Sequence, residues 1–211
     1  MRADAQRNRE LLVTAAHEAF IATGPNAPLE EVARRAGVGI GTLYRHFPER
    51  TLLLRAVAVD VSRRVAAEAV AAIDEEPDAF AALRRYMHRA LEIGIGAVMS
   101  LIADELGADE ETMRWRDELA SVQRQLLERA WREKTLRTDI DFADIGLAIV
   151  RFSRPIGPRL DPDLDMEFAH RHLDVFIDGL AATDRDSLPG RRLTLEDMRA
   201  LNEPTTEGNE R

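Results

Sequence analysis

The chain has 211 residues, of which 45% are hydrophobic, so it is long and apolar enough for one large folded domain or two small ones and is not a disordered polypeptide. It contains no cysteine, which excludes disulfides, thiolate zinc sites and cysteine nucleophiles. No apolar run approaches the roughly 18 residues that cross a bilayer, and the N-terminal stretch MRADAQRNRELL lacks the apolar core of a signal peptide. We therefore expect a cytoplasmic protein with no membrane partner.

The formal net charge of −9 does not exclude binding to nucleic acid. Residues 1–50 carry seven arginines and six carboxylates, a balance of +1, so the net negative charge lies entirely in the rest of the chain. Binding to DNA phosphates requires only a locally basic face that displaces counterions.

Apolar residues recur at helical spacing along most of the chain, and no segment shows the strict alternation of a strand. The first long helix is predicted over residues 8–23, and Pro28, Gly37 and Pro48 delimit two short helices after it. Long helical segments follow at residues 49–74, 79–106, 112–134, 140–154 and 163–182. Gly94 and Gly96 leave open whether the second of these is one helix or two. The fold class is predicted to be all-α.

The glycines of AGVGIGTLYRHF, residues 36–47, predict a tight turn between two short helices. A nucleotide-binding loop would need a buried strand before it and a different glycine spacing. A helix-turn-helix fits better, since Gly37 can end the first helix at positive φ. Its predicted core comprises Val32, Ala33, Gly37, Val38, Leu43 and Phe47, together with Ile40 on the inner stripe of the second helix. Gly39, Gly41, Thr42, Arg45 and His46 fall on the outer face, and Tyr44 lies at its margin. Any amphipathic helix has an exposed polar face, so an ordinary surface helix is the alternative interpretation of this pattern.

Residues 8–57 resemble the N-terminal domain of the TetR/AcrR family of transcriptional regulators. The resemblance rests on LLVTAAHEAF, VARRAGV, GTLYRHF and ERTLLL, and it covers about a quarter of the chain. It implies that Gly41, Thr42, Tyr44 and His46 approach double-stranded operator DNA and that Arg45 contacts a base edge or a phosphate. Arg50 stands where relatives usually carry a phosphate-binding lysine.

One position departs from the family pattern. Many relatives begin the second helix with a threonine or serine that caps it and touches the DNA backbone, whereas this chain has Ala27 and Pro28. Either Asn26 caps the helix or the contact is missing.

The resemblance implies a helix-turn-helix domain at residues 1–48, a helical domain for effector binding and dimerisation at 49–183, and about nine helices in all. Residues 184–211 are predicted to form a loose polar tail. Large apolar side chains of the middle helices are the candidates for lining a cavity for an apolar or aromatic small molecule. They are Met87, Leu91, Ile95, Met99, Trp115, Leu119 and Phe152. Plain core packing is the alternative for all of them.

Residues 163–182 display two adjacent apolar faces, as expected for a helix that packs on its own domain and on a symmetry mate. The predicted homodimer interface comprises Ile149, Phe168, His172, Val175, Phe176 and Gly179. The alternative is that this helix and the one predicted at residues 140–154 are ordinary core helices without a dimer contact.

An enzyme and an α-helical protein-interaction module without sequence-specific DNA binding are the rival interpretations. No nucleophile motif surrounds Ser100 or His88, so the sequence predicts no catalytic residue and no cofactor. His170 and His172 point about 200° apart on a helix and cannot share a metal ion, so no metal site is predicted.

Overall fold

The computed structural model describes residues 2–23, 26–98, 110–157, 159–183, 187–192, 194 and 197, and within them the chain is α-helical. The only bridge between extended residues in these ranges joins Leu136 and Ala181. The prediction of an all-α fold is confirmed. No helix in the described part of the chain is long and apolar enough to cross a membrane.

Eight helices have bounds within the described residues. They are α1 Arg2–Thr23, α2 Leu29–Arg35, α3 Ile40–His46, α4 Arg50–Glu75, α5 Ala79–Ile93, α6 Glu110–Arg132, α7 Phe142–Phe152 and α8 Pro162–Leu180. Residues 95–98 form a further helical turn directly after α5. The first helix begins earlier than the predicted residue 8, because residues 2–7 contain no helix breaker although they lack the apolar stripe that signalled the helix.

Side-chain and backbone caps explain several helix ends. Asp78 accepts a hydrogen bond from Ala81 N at the start of α5, and Asp161 does the same for Leu164 N at the start of α8. Asp141 and Asp144 form a reciprocal capping box at α7. At the other end of α5, Gly94 adopts the left-handed conformation with φ 77° and stops the helix.

The fourth helix connects the N-terminal three-helix unit to the rest of the chain. It has 26 residues and is therefore about 39 Å long. Its buried residues recur from Leu53 to Ala72, because it packs on α1 at one end and along α5 and α6 beyond it. The last helix, α8, packs on α5 and α7.

Candidate nucleic-acid interface

The turn between α2 and α3 has a fixed geometry that depends on Gly37. This residue has φ 68°, a region in which side chains other than glycine are strained. Val38 N donates to Ala33 O at 3.0 Å and Gly37 N donates to Arg34 O at 3.2 Å. These two bonds form a Schellman motif, which satisfies carbonyls at the end of α2 and sets the direction in which α3 leaves the turn.

The inner face of α3 holds this helix against the N-terminal unit. Leu43 and Phe47 are buried, as are Val32 and Ala33 of α2, and Val38 packs against the same core. Ile40 differs from the prediction: it is 36% exposed, because it is the first residue of α3 and lies at the edge of the core.

The outer face of α3 presents small and polar residues to solvent. Gly41 and Arg45 are exposed, Thr42 and His46 are half-buried, and Tyr44 is 47% exposed. A β-carbon on Gly41 would meet no atom within 4 Å, so no described residue covers this part of the helix. The margin position predicted for Tyr44 is therefore an outward one.

Arg45 is held along the same face by two hydrogen bonds. Its Nε donates to Gly41 O at 3.2 Å and its Nη2 donates to Thr42 Oγ1 at 2.9 Å. Gly41 and Arg45 are exposed and Thr42 is half-buried, so the guanidinium lies on the surface of α3, where its other N–H groups can donate to a base edge or a phosphate.

The start of α2 lacks the side-chain cap common in relatives. Pro28 stands at the N-cap position without a side-chain hydrogen bond, and Glu31 N and Val32 N donate to Pro28 O at 3.1 Å and 3.2 Å. No side-chain hydrogen bond caps this helix, so the structure does not support Asn26 as its cap. Later in α2, hydrogen bonds from Arg34 and Arg35 lower the pKa of Glu31 to about 2, so this carboxylate offsets charge on both arginines.

Arg50 is turned towards the inside of the N-terminal unit. Its Nη1 donates to Ala27 O at 2.9 Å, and its guanidinium carbon lies 5.5 Å from the centre of the Phe20 ring. Its Nε and Nη2 are buried without a partner. The arginine thus ties the start of α4 to the α1–α2 loop, and the predicted phosphate contact would require its side chain to turn outward.

A groove of about 630 Å³ adjoins the C-terminal end of α3, between α1 and α4. His46, Arg9 and Arg55 line it, and the Arg9 guanidinium carbon lies 5.2 Å from the centre of the Phe47 ring. Basic side chains therefore extend from α3 onto the neighbouring helices.

Comparison with known proteins agrees with this geometry. A family model described as "Bacterial regulatory proteins, tetR family" matches residues 12–57, which run from α1 into α4. The solved structure of a TetR transcription regulatory protein from Mycobacterium vanbaalenii superimposes with a TM-score of 0.60 at 32% identity, over 85% of this chain and 98% of that one. The chain belongs to the TetR family. It is thereby placed among transcriptional regulators with a helix-turn-helix DNA-binding domain, rather than among enzymes.

Two further TetR-family proteins are similar to this chain. SCO0520 from Streptomyces coelicolor has a TM-score of 0.61 at 28% identity, covering 83% of this chain and 99% of that one. The repressor LfrR from Mycolicibacterium smegmatis is 34% identical over 112 residues, which are 53% of this chain and 59% of LfrR. The structure of LfrR in complex with proflavine has a TM-score of 0.60 over 80% of this chain and 95% of that one, and at 24% identity it shows a shared fold.

The candidate effector-lining residues of this TetR-family chain do not share one environment. Met87, Leu91, Ile95 and Leu119 are buried in the core of the larger helical domain. Trp115 is half-buried under the Arg63 guanidinium, and its Nε1 has no hydrogen-bond partner. Phe152 contacts Phe176 edge to face, with ring centres 6.0 Å apart, and Met99 lies outside the described residues.

Tyr86 and Gln123 form a buried polar pair that sequence reasoning missed. The Gln123 side-chain amide donates to the Tyr86 hydroxyl between α5 and α6. Burial raises the pKa of Tyr86, so the hydroxyl stays neutral. The sequence offers no signal for this pair, because the two residues are 37 positions apart and each also fits an ordinary helix surface.

The residues predicted for the dimer interface separate into exposed and buried ones. Phe168, His172, Val175 and Gly179 lie on one outer face of α8, where Val175 is 71% exposed, whereas Phe176 is half-buried. Ile149 is 2% exposed and belongs to the core of the chain, so the structure corrects its placement on the interface: α7 turns this side chain inward.

His17 lies where α1 meets the larger helical domain, and it too was missed. Burial, together with the nearby Arg64 charge, lowers the pKa of His17, although its hydrogen bond to the Ile93 carbonyl acts in the opposite direction. His17 therefore links α1 to the C-terminal end of α5 as a neutral side chain.

Proposed function

We propose that this TetR-family chain is a cytoplasmic repressor that binds a palindromic operator as a homodimer and is released by a small apolar or aromatic effector. The observation that carries the proposal is the outer face of α3. Gly41, Tyr44 and Arg45 are exposed on a short helix whose direction is set by the Gly37 turn. Such a helix can enter the major groove and use its side chains for phosphates and base edges.

The dimer is supported by the outer face of α8. Phe168 and Val175 are exposed apolar side chains on one face of α8, about two turns apart, and Leu164 and Met166 are also exposed on this helix. Covering such a face with the same face of a second chain buries apolar area from water. A two-fold pair of chains would present two α3 helices to half-sites about 34 Å apart, which is one turn of DNA.

The proposed effector is supported by the chemistry of the core between α4, α5 and α6. Met87, Leu91 and Leu119 are apolar, and Tyr86 with Gln123 adds a small number of polar atoms. A predominantly apolar lining with few polar groups is typical of sites for small organic molecules. LfrR, which is similar in fold, has been solved with proflavine, and this supports a small molecule as the effector.

Two connections could transmit effector binding to α3. The helix α4 runs without interruption from Arg50, beside the helix-turn-helix, to Glu75 in the larger domain. The end of α5 contacts α1 through His17 and Ile21. In one arrangement of the proposed dimer the two α3 helices have the spacing that DNA requires, and in another they do not. An effector that binds the second arrangement more tightly would shift the population of dimers towards it, and the shift is limited by the difference between its affinities for the two arrangements.

Specific binding to an operator is tested with the intergenic DNA upstream of the gene that encodes this chain. Fluorescence anisotropy at two salt concentrations compares this duplex with a scrambled one. We expect specific binding that weakens steeply as the salt concentration rises. Binding no tighter than to the scrambled duplex, for this DNA and for fragments selected from the whole genome, would overturn the proposal.

Arg45→Ala tests the assigned face, with Arg132→Ala as a control that removes the same charge from an exposed position on α6. We expect Arg45→Ala to weaken operator binding by about 1–3 kcal/mol if the contact is to a base, or to reduce the salt slope by about 1 if it is to a phosphate. Arg132→Ala should bind as the wild type does. Equal binding by both variants would remove Arg45 from the interface.

A further inference from the structure

Two histidines from different helices meet between α5 and α8. His88 Nδ1 lies 2.7 Å from His170 Nδ1, and the two rings face each other through these nitrogens, with centres 5.0 Å apart and planes 23° apart. The side chains are 21% and 27% exposed, so a dissolved ion can reach them. Neither the helix-turn-helix nor the outer face of α8 uses this pair.

The other nitrogen of His88 is hydrogen-bonded to a carboxylate, and the other nitrogen of His170 has a carboxylate nearby without a hydrogen bond. Asp174 Oδ1 lies 3.1 Å from His88 Nε2, and Glu92 Oε1 lies 3.7 Å from His170 Nε2. Arg84 pairs with Asp174, and Arg89 pairs with Glu92, so both carboxylates are held in place. A carboxylate at one ring nitrogen stabilises the N–H form of that nitrogen and orients the ring, which is the usual support of a metal-binding histidine.

The hydrogen bond between His88 Nε2 and Asp174 leaves His88 Nδ1 with its lone pair towards His170 Nδ1. If His170 also carries its proton on Nε2, two lone pairs face each other at 2.7 Å and repel; if it carries the proton on Nδ1, that proton bridges the two rings. A cation between them removes the repulsion. A single proton can do this, and a divalent transition-metal ion can do it by binding both nitrogens.

We propose that His88 and His170 bind a divalent transition-metal ion of the Zn²⁺ type through their Nδ1 atoms. Two nitrogens on one tetrahedral Zn²⁺ lie about 3.3 Å apart, so the rings must separate by about 0.6 Å. Within the described residues no group of three or more His, Asp or Glu side chains is arranged to hold an ion, so the proposed ion has two protein ligands and would take its remaining ligands from solvent. A bound ion would join α5 to α8.

The proposal is tested by calorimetric titration of the full chain with ZnCl₂, after removal of any affinity tag. The chain has five histidines and no cysteine, so few side chains compete. We expect one Zn²⁺ per chain and at least a tenfold weaker affinity in both His88→Ala and His170→Ala. His172→Ala is the matched control, because this exposed histidine is on the same helix as His170 and should leave the affinity unchanged.

The role of the carboxylate is tested by Asp174→Asn, which should weaken zinc binding about tenfold while both imidazoles remain. Circular dichroism checks that each variant stays helical. Wild-type affinity in His88→Ala or His170→Ala, or loss of binding in His172→Ala, would overturn the proposal.

A measurement on the unmodified protein avoids any effect of substitution on folding. Nitrogen-15 spectra of labelled histidines should show zinc shifting the Nδ1 resonances of two imidazoles only. No shift, or a shift at Nε2 atoms or at other histidines, would contradict the assigned ligands. Neither measurement depends on operator DNA, so the metal site and the proposed repressor function can fail separately.

Discussion

Gly94 and Ile21 pack so closely that a β-carbon on Gly94 would lie 2.6 Å from Ile21 Cδ1. This contact joins the end of α5 to α1, next to His17. Two residues later Gly96 is equally crowded, because its β-carbon would lie 2.9 Å from Val150 Cα and 2.7 Å from Ser153 Cβ. The turn after α5 is thus wedged between α1 and the end of α7. The two glycines permit close approach here.

Gly96→Ala should destabilise the protein more than Gly94→Ala. At Gly96 the obstacle includes the backbone of α7, so helices must move, at a cost of about 2–3 kcal/mol. At Gly94 the new β-carbon would meet mainly the end of the Ile21 side chain, which can turn aside. The left-handed φ of 77° costs alanine about 1–2 kcal/mol of stability. Urea unfolding measures both variants. Gly157→Ala, where nothing lies within 4 Å of the new carbon, is the control and should change little.

Gly37→Ala and Gly41→Ala should have opposite effects on stability. Neither new β-carbon meets an atom within 4 Å, so only the backbone decides. At Gly37 the φ of 68° costs alanine about 1–2 kcal/mol, whereas alanine inside α3 at position 41 favours the helix by up to about 1 kcal/mol. Thermal unfolding of the free protein tests this difference. A stabilised Gly41→Ala variant that also binds operator more weakly would support close approach of Gly41 to DNA, and unchanged binding would speak against it.

Val175→Glu should convert the proposed dimer to monomers without unfolding the chain. The side chain is 71% exposed in the single chain, so the charge is costly only where a second chain covers it. Light scattering after size-exclusion chromatography gives the mass. Val70→Glu on α4, where the valine is 46% exposed, is the matched control and should leave the mass unchanged. A dimeric Val175→Glu variant would remove this face from the interface.

Glu133 should contribute stability that disappears in acid. Its carboxylate accepts a hydrogen bond from Ala79 N at 2.7 Å and one from Arg129 Nε at 2.8 Å. The bond from Ala79, followed by the one from Arg129, lowers the pKa of Glu133 below its ordinary value of 4.5. A lowered pKa means that the contribution is complete above the ordinary value and is lost as the pH falls through the folded-state pKa.

The free energy of unfolding of the wild type and of Glu133→Gln should therefore differ at pH 7, and the difference should disappear as the pH falls below 4.5 and through the lowered pKa of Glu133. Urea titrations at several pH values measure this difference. Glu118→Gln, which changes an exposed carboxylate on α6, the helix that ends just before Glu133, should show no such convergence. A difference that stays constant with pH would mean that the hydrogen bonds to Glu133 do not depend on its charge.

Local sequence patterns determined the helices and the turn of this protein. The spacing of Val32, Ala33, Leu43 and Phe47 indicates two short helices with one inner face, and Gly37 between them indicates the turn, because these features depend on neighbours within a few residues. The outward position of Arg45 follows from the same periodicity, which placed Tyr44 only at the margin. The resemblance of residues 8–57 to the TetR/AcrR family rests on this local pattern as well.

Only the tertiary structure decided which distant residues meet. Helical periodicity placed Ile149 on an apolar face but could not say that this face points into its own chain. The family resemblance implied a phosphate contact for Arg50, whereas packing turns its side chain onto Ala27 and Phe20. His88 and His170 are 82 positions apart, and the crossing of α5 and α8 brings their rings together. Periodicity specifies the face of one helix, but the partner of that face depends on how all helices pack at once.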